Sequence, residues 1–343
     1  MAYTTIDDPS EYFQTKLYTG TGSSLGLTND GNSDLQPDFV WIKGRDFADS
    51  HHLTNTSVGL GKHLRTNTNA GDYTNAQVVT AVASDGFTVG TDAGVNTNTK
   101  LHVAWQWKAN GGTTTTNDAS STSVGNNDSV IQANTEAGFS IVTFTSPGSG
   151  LTIAHGLGGK PDLIISKSRE STENWSVHTT LIDGSLDYLR IQTSDAKGNS
   201  GFSLPTSTVF GYNGSDDVDY VAYCFRSIQG YSKIGTYVGN ENTNGTFTYT
   251  GFKPAYIITK RTDASGDWHT YDNKREPNNP LFLTIFPNGS SGEVSGDALD
   301  FLSNGFKQRT TGAEQNADGS TYIYMAFAES PFVSSKGVPT TAR

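Results

Sequence analysis

Three stretches of this chain are diverged copies of one another, which limits the fold more than any single residue does. The first reads Leu35-Gln36-Pro37-Asp38-Phe39-Val40-Trp41-Ile42-Lys43-Gly44-Arg45. The second reads Gly159-Lys160-Pro161-Asp162-Leu163-Ile164-Ile165-Ser166-Lys167-Ser168-Arg169, and the third Phe252-Lys253-Pro254-Ala255-Tyr256-Ile257-Ile258-Thr259-Lys260-Arg261. In each, a lysine follows the proline by six positions. Each copy closes on a second apolar segment, His102–Trp107, Tyr220–Phe225 and Tyr322–Phe327. The gaps from the proline to Val103, Val221 and Ile323 are 66, 60 and 69 residues. A tandem array of one unit is an architecture before it is a chemistry.

A length of 343 residues exceeds one ordinary core, and three units of roughly 95 residues each match usual domain size. The 38 glycines, with Thr, Ser and Asn crowding the connections, suit short turns between strands. The 17 Phe, 15 Tyr and 5 Trp argue against disorder although only 34% of the chain is apolar. A net charge of −11 disfavours nucleic acid and anionic lipid as partners. Cys224 is the single cysteine, so no disulfide forms within one chain, and its apolar neighbours predict an inert buried thiol. The first residues lack a basic start and an apolar run, so no signal peptide is expected, and no window is apolar enough to span a bilayer.

Alternating segments such as Phe13-Gln14-Thr15-Lys16-Leu17-Tyr18 predict half-covered strands, and the continuous run Phe39-Val40-Trp41-Ile42 predicts one covered on both faces. No window carries convincing helical periodicity. The fold class expected is all-β: three tandem antiparallel β-sandwich repeats, with jelly-roll and immunoglobulin-like topologies both open. The divisions are an N-terminal arm over 1–12, repeats over 13–108, 136–235 and 236–332, a polar linker over 109–135, and a tail over 333–343.

The recurrent Pro-x5-Lys-x-Arg spacing could bind an anionic sugar. The recurrence of the proline-to-lysine spacing in every unit, with an arginine one or two positions on, favours a scaffold role, with the proline opening a strand and the basic residues marking where it leaves the core. Trp175 and Trp268 each lie 14 residues past their prolines, where the first copy has His51. They could form an aromatic platform for sugars, although a core aromatic is the simpler reading. His51, His52 and His63 with Asp46 and Asp49 do not follow a zinc pattern, and Asp216-Asp217-x-Asp219 lacks the loop spacing of a calcium hand. No Gly-x-Ser-x-Gly elbow and no phosphate loop occurs. Catalytic residues, cofactor-binding residues and metal ligands are therefore each expected to be none.

The segments Phe13–Gly20, Pro37–Lys43, Gly230–Tyr237, Tyr249–Pro254, Phe301–Lys307 and Ile323–Glu329 resemble a family of virion proteins of tailed bacteriophages, of the marine short-tailed type that includes cyanophages. The resemblance extends from about Thr5 to Arg343. It implies a non-enzymatic structural protein of the virion exterior, made in the bacterial host cytoplasm and released by lysis. A tail fibre involved in host attachment is the first reading; a capsid-bound fibre or decoration protein and a polysaccharide depolymerase are the alternatives. The implied partners are other virion proteins of the tail or capsid, a host-surface glycan or protein, and further copies of the chain, as a homotrimer first of all. On this reading residues 1–12 dock on the virion through Tyr3, Ile6 and Tyr12, while Trp175, Trp268 and His51 contact the receptor.

Overall fold

The computed structural model describes residues 2–340. Among them, helix is limited to three single turns (Ala93–Asn96, Ala119–Thr122 and Ala313–Asn316) and a 3-10 turn at Pro9–Glu11. Everything else regular is strand, and the fold is all-β.

One arrangement of four antiparallel strands recurs three times. In the first module these are β1 (Phe13–Thr19), β2 (Phe39–Gly44), β3 (His52–Asn55) and β4 (Leu101–Trp107), paired in the order β1-β4-β2-β3. In the second, β5 (Phe139–Pro147), β6 (Leu163–Ser168), β7 (Ser176–Thr179) and β8 (Asp216–Phe225) pair as β5-β8-β6-β7. In the third, β9 (Ser232–Val238), β10 (Phe252–Arg261), β11 (Trp268–Asp272) and β12 (Thr321–Pro331) pair as β9-β12-β10-β11. The register repeats too: Lys43 lies opposite Val103, Lys167 opposite Val221, and Lys260 opposite Ile323. The prolines behave as strands require. Pro37 and Pro161 precede β2 and β6, whereas Pro254 lies within β10 at an irregularity of the ladder.

Both faces of these sheets are buried, so β2 and β6 read as unbroken apolar runs. The side-chain period of two sends alternate residues to opposite faces. Phe39, Trp41, Trp105, Ile165, Tyr223, Tyr256, Ile258 and Met325 enter one central cluster shared by all three modules. Val40, Ile42 and Ala104 face a separate outer cluster, as do Ile164, Ala222 and Cys224, and Ile257, Tyr324 and Ala326. Aromatic contacts cross every boundary in the centre. Phe39 stacks on Tyr223 at 4.4 Å, Phe13 on Phe327 at 5.0 Å, and Phe225 meets Phe327 edge-on at 6.1 Å. The modules therefore form a closed ring around a common core, which three sandwiches strung end to end would not.

Two expectations about connecting segments are corrected. The stretch 109–135 is no free linker, because Ser129–Asn134 pairs with β5 and Thr115–Asn117 pairs with that strand in turn. The Asp38 carboxylate accepts backbone N–H bonds from Ala109, Gly111 and Gly112 at 2.8, 2.9 and 2.7 Å, tying the exit from the first module. The arm over 1–12 is packed down. Ile6 and Tyr12 join the central cluster, the Tyr3 hydroxyl donates to the Gly251 carbonyl at 2.8 Å, and Thr4 donates to the Gln229 carbonyl at 2.8 Å. These two apolar side chains gain more from burial than a solvated arm would allow. Of the predicted tail, Val333 bridges to Pro339, and residues 341–343 lie outside the described residues.

Candidate functional site

The features that recur in every module serve to fasten the modules together. The Trp175 indole donates to the Arg65 carbonyl of the first module at 3.0 Å, and the Trp268 indole to the Arg190 carbonyl of the second at 2.9 Å. His51 completes the cycle. Its Nδ1 accepts from the Trp41 indole at 2.9 Å, so its Nε2 carries the proton and donates to the Phe286 carbonyl of the third module, also at 2.9 Å. Burial, with Lys43 nearby, pushes the His51 pKa down to about 3, so the ring is neutral. All three rings are at most 3% exposed. They present no face to a sugar, and the expected platform is corrected: an aromatic pinned between modules by a buried hydrogen bond is scaffold.

The basic pairs are used likewise. Lys43, Lys167 and Lys260 are fully buried, with each ammonium donating to the carbonyl of the residue that follows it. Lys43 also reaches the Ser290 carbonyl of the third module, and Lys260 the Ser194 carbonyl of the second. Burial pushes each of these pKa values down to about 8. Arg45 pairs with Glu293 across the seam of modules one and three, and Arg169 with Asp72 across the seam of two and one. At the remaining seam the arginine position is Thr262, whose carbonyl accepts from the Lys197 backbone N–H at 2.8 Å. The histidine cluster is internal packing, with the His52 and His63 rings 5.0 Å apart. Among the described residues no three His, Cys, Asp or Glu side chains converge as metal ligands.

What differs between modules is the outer layer. It has three strands in the first module (Leu25–Leu27, Val79–Ala83 and Gly86–Val89) and four in the third (Phe247–Tyr249, Leu281–Thr284, Val294–Leu302 and Gly305–Gln308). In the second it has two, Leu151–Ala154 and Val209–Tyr212. The consequence shows 17 residues past each proline. In the third module Tyr271 is covered, its hydroxyl donating to the Asp297 carbonyl of an outer strand at 2.8 Å. In the second the same place holds His178, and an irregular loop through Gly201 and Pro205 passes instead of a strand. A cleft of about 320 Å³ opens there.

Its walls are aromatic and its rim is polar. Phe202 packs against His178 at 5.0 Å and against Tyr212 at 5.7 Å, and the Arg190 guanidinium lies 5.6 Å over the Tyr188 ring. Burial pushes the His178 pKa down to about 4. The Glu173 carboxylate is occupied, accepting from Tyr220 at 2.9 Å, Ser215 at 2.7 Å and Ser171 at 3.0 Å. Among the described residues, the Arg190 guanidinium and the amide nitrogens of Asn174, Asn199 and Asn213 donate to nothing, although these asparagine oxygens do accept bonds.

Two larger depressions are chemically different. The cleft of about 530 Å³ at the seam of modules one and three satisfies its own charges: Lys274 and Lys16 share Asp30, and Glu329 takes both Lys253 and Asn273. The open groove of about 740 Å³ beside Asp128, Asp216, Asp217 and Asp219 is acidic, and its Arg169 is already held by Asp72 and Asp219. The second-module cleft differs from both in holding a cation, Arg190, with no acidic partner among the described residues, beside aromatic walls of the kind binding sites use. Sequence reasoning missed it, because the repeat places Ser176 and His178 on a strand but does not show that the outer layer leaves that strand open there. The missing turn at Val209–Phe210, which the other two copies keep as Asp85-Gly86 and Asn304-Gly305, was the available signal.

A comparison with curated proteins finds no match. Residues 8–331 match a family model described as a domain of unknown function, DUF7483. That match takes in nearly the whole ring, from the turn before β1 to the end of β12, and the chain belongs to the DUF7483 family.

Proposed function

We propose that this chain is a non-enzymatic structural protein of the exterior of a tailed-phage virion, a tail fibre that takes part in attachment to the host surface. The observation that carries the reading is the division of labour among residues. The recurring lysines are buried inside the modules, and Trp175, Trp268, His51, Arg45 and Arg169 are spent on the seams between them, while the outer layers vary in strand number. A rigid constant frame bearing variable surface elements is how binding scaffolds are built. The sequence resemblance supplies the virion setting. The second-module cleft supplies the surface for a host glycan, and Glu173 is its one carboxylate among the described residues, where glycoside hydrolysis uses two. That favours binding over depolymerisation.

Gold-labelled antibody against this chain is expected to mark the tail of intact particles. Label confined to the capsid would select the decoration reading, and label absent from particles would refute virion membership. Assembly as a homotrimer is a separate part of the proposal. Light scattering at micromolar concentration should then give three times the mass of the chain, 36.7 kDa. A strictly monomeric species would refute the trimer, though not virion membership.

A further inference from the structure

We infer that the second-module cleft binds an acidic sugar residue, with the sugar carboxylate on Arg190 and the apolar face of its ring against Phe202. The inference rests on the attachment reading and names the ligand class of that same site. The chemistry follows from what the cleft lacks. It lacks an acidic partner for its one cation, Arg190, because the carboxylate at its end, Glu173, is already loaded by three hydroxyl groups. A guanidinium without a protein carboxylate, set beside aromatic side chains in a concave site, suits a ligand that brings its own carboxylate. A guanidinium held over the Tyr188 ring has its fork orientation restricted, and the fork fits a carboxylate through two parallel hydrogen bonds.

The aromatic walls select the rest of the ligand. The C–H-rich face of a pyranose packs on aromatic rings, whereas its hydroxyls suit amides at the rim. At about 320 Å³ the cleft is at the small end of the usual range for ligand sites, which suits one sugar residue of a longer chain better than an extended oligosaccharide. Net charge works against a general attraction for anions. With −11 on the chain, an acidic glycan is repelled at long range and is held only where Arg190 meets it. The neighbouring acidic groove, with Asp128, Asp216, Asp217 and Asp219, steers such a ligand away from the adjacent face.

The test is calorimetric titration of the whole chain with trigalacturonate and, in parallel, with neutral galactotriose, at pH 7.5 and 0.15 M salt. Trigalacturonate should bind at least tenfold more tightly than galactotriose. Arg190→Gln should weaken it at least tenfold and remove that preference, since the Arg190 backbone carbonyl that seats Trp268 is untouched. Phe202→Ala should weaken both ligands, because it removes the ring face and leaves the charge. An unchanged urea midpoint for each variant separates lost binding from lost folding. Should Arg190→Gln fail that control, Asn213→Ala, at an exposed rim position, is the second variant and should cost severalfold for the acidic ligand. No binding of trigalacturonate, equal binding of the neutral trisaccharide, or full binding by the folded variants would each overturn the inference. A chain that marks the virion tail yet ignores trigalacturonate refutes this ligand alone, whereas one that binds it but is absent from virions refutes the virion reading alone.

Discussion

Between pH 7 and pH 5 the protein should lose stability steeply, the largest pH effect expected of it. All seven histidines are at most 5% exposed, and six of them, His51, His52, His63, His102, His155 and His178, have depressed pKa values. Burial is the first cause of the depressed pKa of each, to about 3 for His51, to about 4 for His63, His102, His155 and His178, and well below the ordinary value for His52. The sign follows from proton counting. The unfolded chain binds protons at these rings as pH falls through 6.5, the ordinary value, whereas the folded chain resists until about 4. Protons therefore drain the folded state across that window, each ring whose folded pKa stays low contributing up to roughly 2 kcal/mol. Above neutrality the slope has the same sign for another reason. Lys43, Lys167 and Lys260 titrate near 8 when folded and near 10.5 when not, so their burial penalty is relieved as pH rises past 8. Buried tyrosines such as Tyr223 and Tyr256, whose pKa values are raised by burial, reverse the trend above about 10. Urea midpoints measured from pH 4.5 to 9.5 should climb throughout. A midpoint that is flat between 7 and 5 would contradict the buried, neutral histidines.

Replacing Asp272 by Ala should cost about 3–5 kcal/mol, the largest effect expected of a single seam substitution. The Asp272 carboxylate accepts from the Arg275 guanidinium at 2.5 Å and from the Trp105 indole of the first module at 3.1 Å. It also caps the backbone N–H of Arg275 at 2.8 Å. Both charged side chains of the pair are at most 1% exposed. Without the aspartate, the guanidinium keeps only the Thr270 carbonyl at 2.8 Å and the more distant Glu293 at 3.6 Å, so a buried cation is left undercompensated. The double variant Asp272→Ala with Arg275→Met should recover much of the loss, because it removes the stranded charge. The equivalent link at the next seam is neutral, Asn55 to the Tyr223 hydroxyl at 3.0 Å, and its loss should cost about 1–2 kcal/mol. Since all three modules share the central cluster, the variant should shift one cooperative urea transition of the whole chain. Separate transitions for the modules, or a cost for Asp272→Ala within 1 kcal/mol of zero, would refute this account.

Much was legible before any coordinates, and the reason is local. Alternation of side chains along a strand is a property of two to six residues, so the covered run Phe39–Ile42 and the half-covered segment Phe13–Tyr18 announced themselves. The equal proline-to-lysine spacing likewise became equal register against Val103, Val221 and Ile323. Residues 1–12 and 109–135 were misread for the complementary reason. Both are polar on average, yet Ile6 and Tyr12 find partners far away in the chain, and the strand Ser129–Asn134 adds to the edge of β5, the strand that follows it; composition reports neither kind of partner.

The chain on its own established an all-β protein built from three related units with buried strands, since period, propensity and repetition are written residue by residue. Tertiary structure alone decided that the units close into a ring, that Trp175, Trp268 and His51 lie inside it, and that a cleft opens beside His178. Those outcomes depend on which surface meets which across hundreds of residues. The cleft in particular exists because the second module's outer layer has two strands where its siblings have three and four.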